Sequence, residues 1–438
     1  MARKKSYQDL YVFMNGMLVG TLVRETSGNL SFTYHVDWLT WAHTRPISLS
    51  MPLTEMPYKG LVVNAYFDNL LPDSDLIRKR IQARFRVNSD HCFDLLAQIG
   101  ADCIGALQLL PHKNISQIQT IDHTPIEDAA IANLLKQYKT APLGMAQDID
   151  FRISIAGAQE KTALLWHASQ WCLPHGTTPT SHIIKLPIGQ IKPADIDLSD
   201  SVENEWLCLQ ILSAYNLPVN HARILYFDKV KTLTIERFDR RWAENKKWLM
   251  RLPQEDLCQA LGVSPALKYE SDGGPDIQAI MRVLLGSKDA MLDREKFMKT
   301  IFLFWVMAAI DGHAKNFSLT LEAQGRYKLT PLYDVMSAYP LTAKHQLDLK
   351  KIKMAMSLKS KKRYYLWSDI QLKHWLLMAQ QCQFAPQRMQ EIIEEVLDTM
   401  ESVISQVQKK LPAKFPSQMQ HAIFAGMRHA KDSLSTSR

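Results

Sequence analysis

Apolar and polar positions change period three times along the chain. From Leu10 to Leu22 two apolar runs flank Asn15-Gly16, which predicts a β-hairpin with a two-residue turn. Arg45 to Leu53 (RPISLSMPL) alternates apolar and polar and predicts a strand, with Pro46 and Pro52 near its ends. Pro72-Asp73-Ser74 opens a helix, DSDLIRKRIQARF, with a capping residue in front and basic residues behind. A second helix, CFDLLAQIG, ends at Gly100, and Ile104 to Leu110 reads as a strand. Residues 1–111 thus form a first α+β subdomain, and the polar stretch His112 to Thr124 reads as a linker.

Residues 125–238 alternate strands with one clear helix. FRISIAG, KTALLWH, QWCLP, SHIIKLP, ARILYF and KTLTIERF are strands separated by Gly, Pro and polar turns. Ser201 to Tyr215 places Val202, Trp206, Leu209 and Leu212 on one stripe at helical spacing, with Glu205 at its edge. Residues 239–438 read as helical over Gln254–Gly262, Asp276–Leu285, Arg294–Ile310, Ile370–Cys382, Gln387–Leu411 and Gln418–Ser433. Short strands at Phe317–Leu321 and Tyr327–Leu329 interrupt them. The expected class is α+β, a two-lobed protein-kinase-like fold. It has a mainly β small lobe preceded by the extra subdomain, and a helical large lobe.

Composition changes this picture little. Six cysteines are scattered with no CxxC pair, so neither a zinc ribbon nor a redox motif is supported; buried thiols in a reducing cytoplasm fit. The N-terminus is basic without a sustained apolar core, and the longest apolar run, Ile301–Ile310, is ten residues. These predict no signal peptide and no membrane span. The net charge of +8 is concentrated: Lys344 to Arg363 holds eight Lys/Arg and one acid, Asp348, and Tyr364, Tyr365 and Trp367 follow. That stretch is either a solvated face or a nucleic-acid contact.

Five short motifs point to one chemistry. Asp311-Gly-His-Ala-Lys-Asn316 has the spacing of a kinase catalytic loop, in which the Asp takes the hydroxyl proton and the Asn binds Mg²⁺. It is also the pattern of a capped turn. Tyr333-Asp334 follows a predicted hairpin, where a kinase places its second metal-binding carboxylate; a helix N-cap is the other reading. Ala156-Gly157-Ala158-Gln159-Glu160-Lys161 is a short loop between strands, open to phosphate or merely a hairpin turn. Lys185, amid Ile183, Ile184 and Leu186, suits an ATP phosphate with Glu205 (or Glu203) orienting it, or is a strand lysine facing water. Glu236-Arg237-Phe238 ends a strand where a hinge would offer backbone groups to adenine. Each is weak alone; together they stand in the order of a phosphotransferase.

The strings FDNLLPDS, DFRISIAGAQEKTAL, SHIIKLP, ERFDRRW, RLPQEDLCQ, KYESDGGP, DGHAKNFS and LTPLYD resemble the HipA family of bacterial toxin kinases over nearly the whole chain. The resemblance implies a Ser/Thr protein kinase using ATP and Mg²⁺, with a HipB-like helix-turn-helix antitoxin as partner. It also implies operator DNA bound by the pair, and glutamyl-tRNA synthetase as the phosphorylated protein, with growth arrest and persistence as the outcome. Carried over by position, ATP binding falls on Ala156 to Lys161, Lys185, Glu236 to Phe238, His313, Ala314, Lys315, Asn316, Tyr333 and Asp334. Metal binding falls on Asn316 and Asp334, the base on Asp311, and autophosphorylation on Ser154. Two other readings remain: a small-molecule kinase of the antibiotic-phosphotransferase type, and a non-catalytic DNA-binding co-repressor.

Overall fold

The computed structural model describes residues 9–113, 118–140, 159, 161–192, 195–244 and 247–435. They form two compact units. One holds Met1–Leu186, Leu225–Ala266 and Ser318–Arg326; the other holds Pro187–Ile224, Leu267–Phe317 and Tyr327–Arg438. Each unit is discontinuous in sequence, and residues 239–266 group with the N-terminal part.

In the first unit the hairpin at Asn15-Gly16 is present, with Met14 opposite Met17. It is the centre of a five-stranded sheet ordered Tyr58–Lys59, Leu30–Tyr34, Met17–Arg24, Asp9–Met14, Leu107–Leu110. Alternate residues Leu10, Val12, Leu22 and Phe32 point into a core shared with Phe67, Phe93 and Leu96. Arg45–Leu53 is not a strand. It makes one isolated bridge, Ser48 to Met51, and is pinned instead by Tyr34, whose hydroxyl donates to the Met51 carbonyl at 2.6 Å and accepts from Ile47 N–H. Pro46 and Pro52 lack the N–H that a ladder needs. Helices Val36–Thr40 and Leu61–Asp68 are additions to the expected elements.

The second sheet runs Ala222–Phe227, Val230–Glu236, His182–Lys185, Lys161–His167, Gln170–Pro174, His123–Pro125. The expected linker thus ends in an edge strand. A helix the pattern missed, Asp128–Thr140, covers one sheet face with Ile131 and Leu135 packed among Leu164, Ile184 and Phe227. The FRISIAG strand lies outside the described residues.

A buried ion cluster explains why 239–266 cannot leave this unit. Asp102 receives Arg240, Arg251 and Arg237 at 2.9, 3.1 and 3.4 Å, and Asp239 receives Arg237 at 2.8 Å. Thr180 Oγ1 donates to Asp102, and Gly105 N–H donates to Asp239. Burial works against both carboxylates, yet the arginines outweigh it and hold both below the ordinary range. Removing one member of such a cluster costs about 3–5 kcal/mol, because the remaining charges stay buried.

The expected helix Gln254–Gly262 is a three-residue strand, Gln254–Asp256, followed by one helical turn, Leu257–Ala260, closed by an Asp256–Gln259 capping box. The second unit is helical: Ser201–Ala214, Ile277–Leu285, Ala290–Val306, Leu372–Gln381, Pro386–Gln408 and Ser417–Ser435. Its core is marked by Trp305 and Trp367, which stack at 5.2 Å and exchange bonds, each indole N–H donating to the other's carbonyl. The basic stretch contains a hairpin, Lys353–Lys359 with Arg363–Leu366, hidden in sequence by its lysines. All six cysteines are buried free thiols. Among the described residues no helix is long and apolar enough to cross a membrane.

Glu255 gives this fold a pH dependence. It is fully buried, its Oε1 accepts from Leu49 N–H at 2.8 Å, and its Oε2 lies against Ser48 Oγ. Ser48 Oγ also reaches the Gln259 carbonyl, an acceptor only, which suits a protonated Glu255 donating to Ser48. Burial pushes Glu255 up to about 8, against those two hydrogen bonds. A carboxyl raised from an unfolded value near 4.5 contributes stability fully below that pH and loses it as pH rises to 8. The loss is up to about 4 kcal/mol. Thermal midpoints at pH 5 and pH 8.5 should fall further for the natural chain than for Glu255→Gln; an equal fall would mean Glu255 is ionised throughout.

Candidate active site

The helix Ala290–Val306 ends at Met307, and Ala308 takes a left-handed conformation, so Asp311 sits five residues beyond the helix rather than directly on its end. Directly after Asp311, Gly312 passes the helix closely: a Cβ there would lie 2.4 Å from the Phe304 ring. Asp311 is exposed while Gly312 to Asn316 are buried. Asn316 Nδ2 donates to the Asp311 carbonyl at 2.7 Å, and a 3₁₀ turn, Ala314–Asn316, closes the loop. Both ends of D-x-x-x-x-N are thus tied together. The amide nitrogen donates this bond, unlike a helix N-cap, whose side-chain oxygen accepts from a backbone N–H, and it leaves the amide oxygen as an acceptor. His313 Nε2 lies 4.0 Å from Asp311 Oδ1.

Asp334 caps no helix. It stands in irregular chain with φ of 59°, a left-handed conformation for a residue with a side chain. Such a conformation persists where the surroundings over-determine it, and here they do. Before it, Leu332 pairs with Pro218 and Asn220; after it, Ser337 N–H and C=O both bond to the side chain of Asn204 at 2.8 Å. Ser337 Oγ also donates to Met307 O at 2.6 Å, and Ala338 N–H to Ala308 O. Tyr333 donates its hydroxyl to the Lys315 carbonyl at 2.9 Å. The neighbours of Asp334 and Asn316 are therefore bonded to each other, and the two oxygen-bearing side chains belong to one construction.

Those oxygens suit Mg²⁺, a hard cation that keeps several ligands from water and phosphate. Among the described residues no group of three or more His, Cys, Asp or Glu could hold a metal. Asn316 and Asp334 would hold the ion.

Other candidates lie as follows. Lys185 is 5% exposed in the middle of its sheet, opposite Lys161 on one side and Leu233 on the other. Water-facing placement is thus excluded. Gln159 donates its amide to the Leu186 carbonyl. Ala156, Gly157, Ala158, Glu160 and Ser154 lie outside the described residues. Glu203 and Glu205 are both buried in the Ser201–Ala214 helix, which is buried along most of its circumference rather than on one stripe. Glu236 is exposed and Phe238 half-buried at the strand end, but Arg237 is withdrawn into the ion cluster and its N–H donates to the Ser181 carbonyl. Neither its guanidinium nor its N–H is left for adenine. Sequence reasoning missed Asn204, Ser337 and Tyr269, whose hydroxyl donates to Asp311 Oδ1 at 2.6 Å. None carried a spacing that marks it.

An exposed aspartate on a braced D-x-x-x-x-N loop, followed by a second braced aspartate, belongs to a protein-kinase-like α+β fold, here with an extra N-terminal subdomain. The chain is a member of the HipA family: the HipA N-terminal domain matches residues 10–110 and the HipA-like C-terminal domain matches residues 153–404. It is 32% identical to "Putative kinase Y4mE" of Sinorhizobium fredii over 76% of this chain and 78% of that one. It is 25% identical to the "Serine/threonine-protein kinase toxin HipA" of Shewanella oneidensis over 75% of each. In fold it matches a Shewanella oneidensis chain solved as a complex of HipA, HipB and operator DNA, with a TM-score of 0.81, 18% identity, and 98% and 97% of the two chains covered.

The closeness of Gly312 to Phe304 sets a testable cost. Gly312→Ala should destabilise the chain by about 1–3 kcal/mol, read as a lower urea midpoint with unchanged slope, since a methyl must displace a buried ring. An unchanged midpoint would mean the loop relaxes freely.

Proposed function

We propose that this protein is an ATP-dependent Ser/Thr protein kinase toxin in which Asp311 is the catalytic base. The observation that carries this is the bonding of Asn316 to Asp311 and of Tyr333 to Lys315, which joins the base and the two metal-binding side chains into one rigid site. The relatives' names support the same reading. ATP supplies the γ-phosphoryl group, and Mg²⁺ neutralises charge on its phosphates. Asp311 accepts the proton of a substrate Ser or Thr hydroxyl as that oxygen bonds to phosphorus. Asn316 and Asp334 hold the cation, and Lys185, a buried ammonium, holds phosphate.

Family membership supports a HipB-like antitoxin and operator DNA as partners; in this reading the phosphorylated protein is a translation component, glutamyl-tRNA synthetase, and its modification arrests growth in the cytoplasm and favours persistence. Ser154 is the autophosphorylation site that limits the activity. Asp311→Ala should fold and bind ATP with unchanged affinity yet lose phosphoryl transfer, whereas Asn316→Ala or Asp334→Ala should weaken Mg²⁺-dependent nucleotide binding. Intact-mass measurement should find a phosphate at Ser154 only in protein from cells carrying Asp311. Near-full transfer by Asp311→Ala would sink the assignment.

The basic hairpin is the part we assign to DNA. Lys344 is matched by Asp197 and Asp200, Lys351 by Asp348 and Arg363 by Glu270, so the net field comes from exposed Lys350, Lys353, Lys359, Lys361 and Lys362. Replacing Lys350, Lys351 and Lys353 by Gln should weaken binding of the antitoxin complex about equally for all DNA sequences. The slope of log K against log salt should fall by up to about 2, from Lys350 and Lys353. An unchanged slope removes the hairpin from the DNA surface.

A further inference from the structure

The motif KYESDGGP builds a device against the candidate base. Tyr269 donates its hydroxyl to Asp311 Oδ1 at 2.6 Å, and its ring stands edge-on to His313, 4.9 Å between centroids. The Asp311 side chain is 56% exposed, so water has access to what the phenol leaves open.

Tyr269 is held from both sides. Next to it Glu270 is buried and accepts from Ser357 N–H at 2.6 Å, Ser357 Oγ at 2.7 Å and Arg363 Nη1 at 2.7 Å. Glu270–Asp272 then forms a 3₁₀ turn, Gly273 takes φ of 95°, and Gly274 N–H returns to the Tyr269 carbonyl at 2.9 Å. A Cβ on Gly274 would lie 2.0 Å from the Leu267 carbonyl oxygen, so only glycine permits this return. The acid and both glycines of the motif thus serve to fix one phenol on one carboxylate.

A phenol O–H on Asp311 Oδ1 makes the contact that a substrate hydroxyl must make before it gives up its proton. The two compete for the same oxygen. We propose that Tyr269 is a positioning residue that occupies the acceptor side of Asp311 until a Ser or Thr hydroxyl displaces it, and that it thereby suppresses transfer to water. This rests on the reading of Asp311 as base. A peptide hydroxyl arrives with flanking contacts that offset the lost phenol bond. Water arrives with none, so the catalyst discriminates by what it must first give up.

The suppressed reaction is ATP hydrolysis. Water oxygen bonds to the γ-phosphorus, the bond from that phosphorus to the β,γ-bridging oxygen breaks with its electrons leaving on ADP, and the water proton passes to Asp311. The test is phosphate release from Mg-ATP by the full chain with no protein acceptor added. Tyr269→Phe keeps the ring on His313 and loses only the O–H. It should raise the rate about 3- to 10-fold, the effect of one partly exposed hydrogen bond to a charge, with nucleotide Kd and thermal midpoint unchanged. Asp311→Asn and the double variant should both remain at background. A Tyr269→Phe rate equal to or below the natural one, with Asp311→Asn inactive, overturns the role of Tyr269 and leaves the base in place. Natural-level hydrolysis by Asp311→Asn overturns the base and this inference with it. A raised rate that survives in the double variant overturns the inference alone.

Discussion

The carboxamide of Asn204 donates to the Ser337 carbonyl and accepts from the Ser337 N–H, both at 2.8 Å, with both residues 3% exposed. This two-way bond copies a step of β-ladder with a side chain, and it reaches across 133 residues of sequence. Glu205, the next residue in that helix, is placed by the same backbone. Ser337 passes the constraint to Met307 through its hydroxyl, and so to the end of the helix that delivers Asp311. Asp334 hangs between Leu332 and Ser337, each bonded, and takes a conformation it would not choose alone. An apolar residue at 204 would take from the buried Ser337 backbone one donor's and one acceptor's partner, which makes this attachment hard to replace.

Charge is handled oppositely in two parts of the second unit. Around Asp311 and Asp334 the chain spends its hydrogen bonds on fixing backbone, and the Asp311 side chain stays 56% exposed. On the Lys353–Leu366 hairpin, acids from elsewhere neutralise some of the cations, and the rest stay in water. Glu270 belongs to both regions: it is one residue from the phenol on Asp311, and it is the buried partner of Arg363 on the hairpin.

The candidate site residues were marked in the sequence by local motifs. D-x-x-x-x-N, the strand lysine and the order of motifs depend on spacing alone, and the Asn15-Gly16 turn and the capped helix after Ser74 depend on backbone preferences that neighbours do not override. What was not legible depends on partners far away in sequence. RPISLSMPL alternates like a strand, but prolines and the Tyr34 hydroxyl hold it as a loop. RLPQEDLCQ has helical spacing, but the first half pairs with Ser318–Thr320 as a strand. Arg237 reads as a hinge residue until Asp102 and Asp239 claim it. The lysine-rich stretch reads as a solvated face or a nucleic-acid contact, and its lysines hide the hairpin that apolar Met354, Met356 and Leu358 anchor beneath them.

The ion cluster around Asp102 gives the chain a timetable. Its arginines lie 135, 138 and 149 residues downstream of it, at Arg237, Arg240 and Arg251. The N-terminal sheet leaves the ribosome first, looking like a domain and matched as one, with a carboxylate at its rim that has nothing to bury against. The three cations arrive only after the second sheet has been made. A product broken off anywhere before Arg237 would therefore carry Asp102 with none of the three arginines that offset its burial.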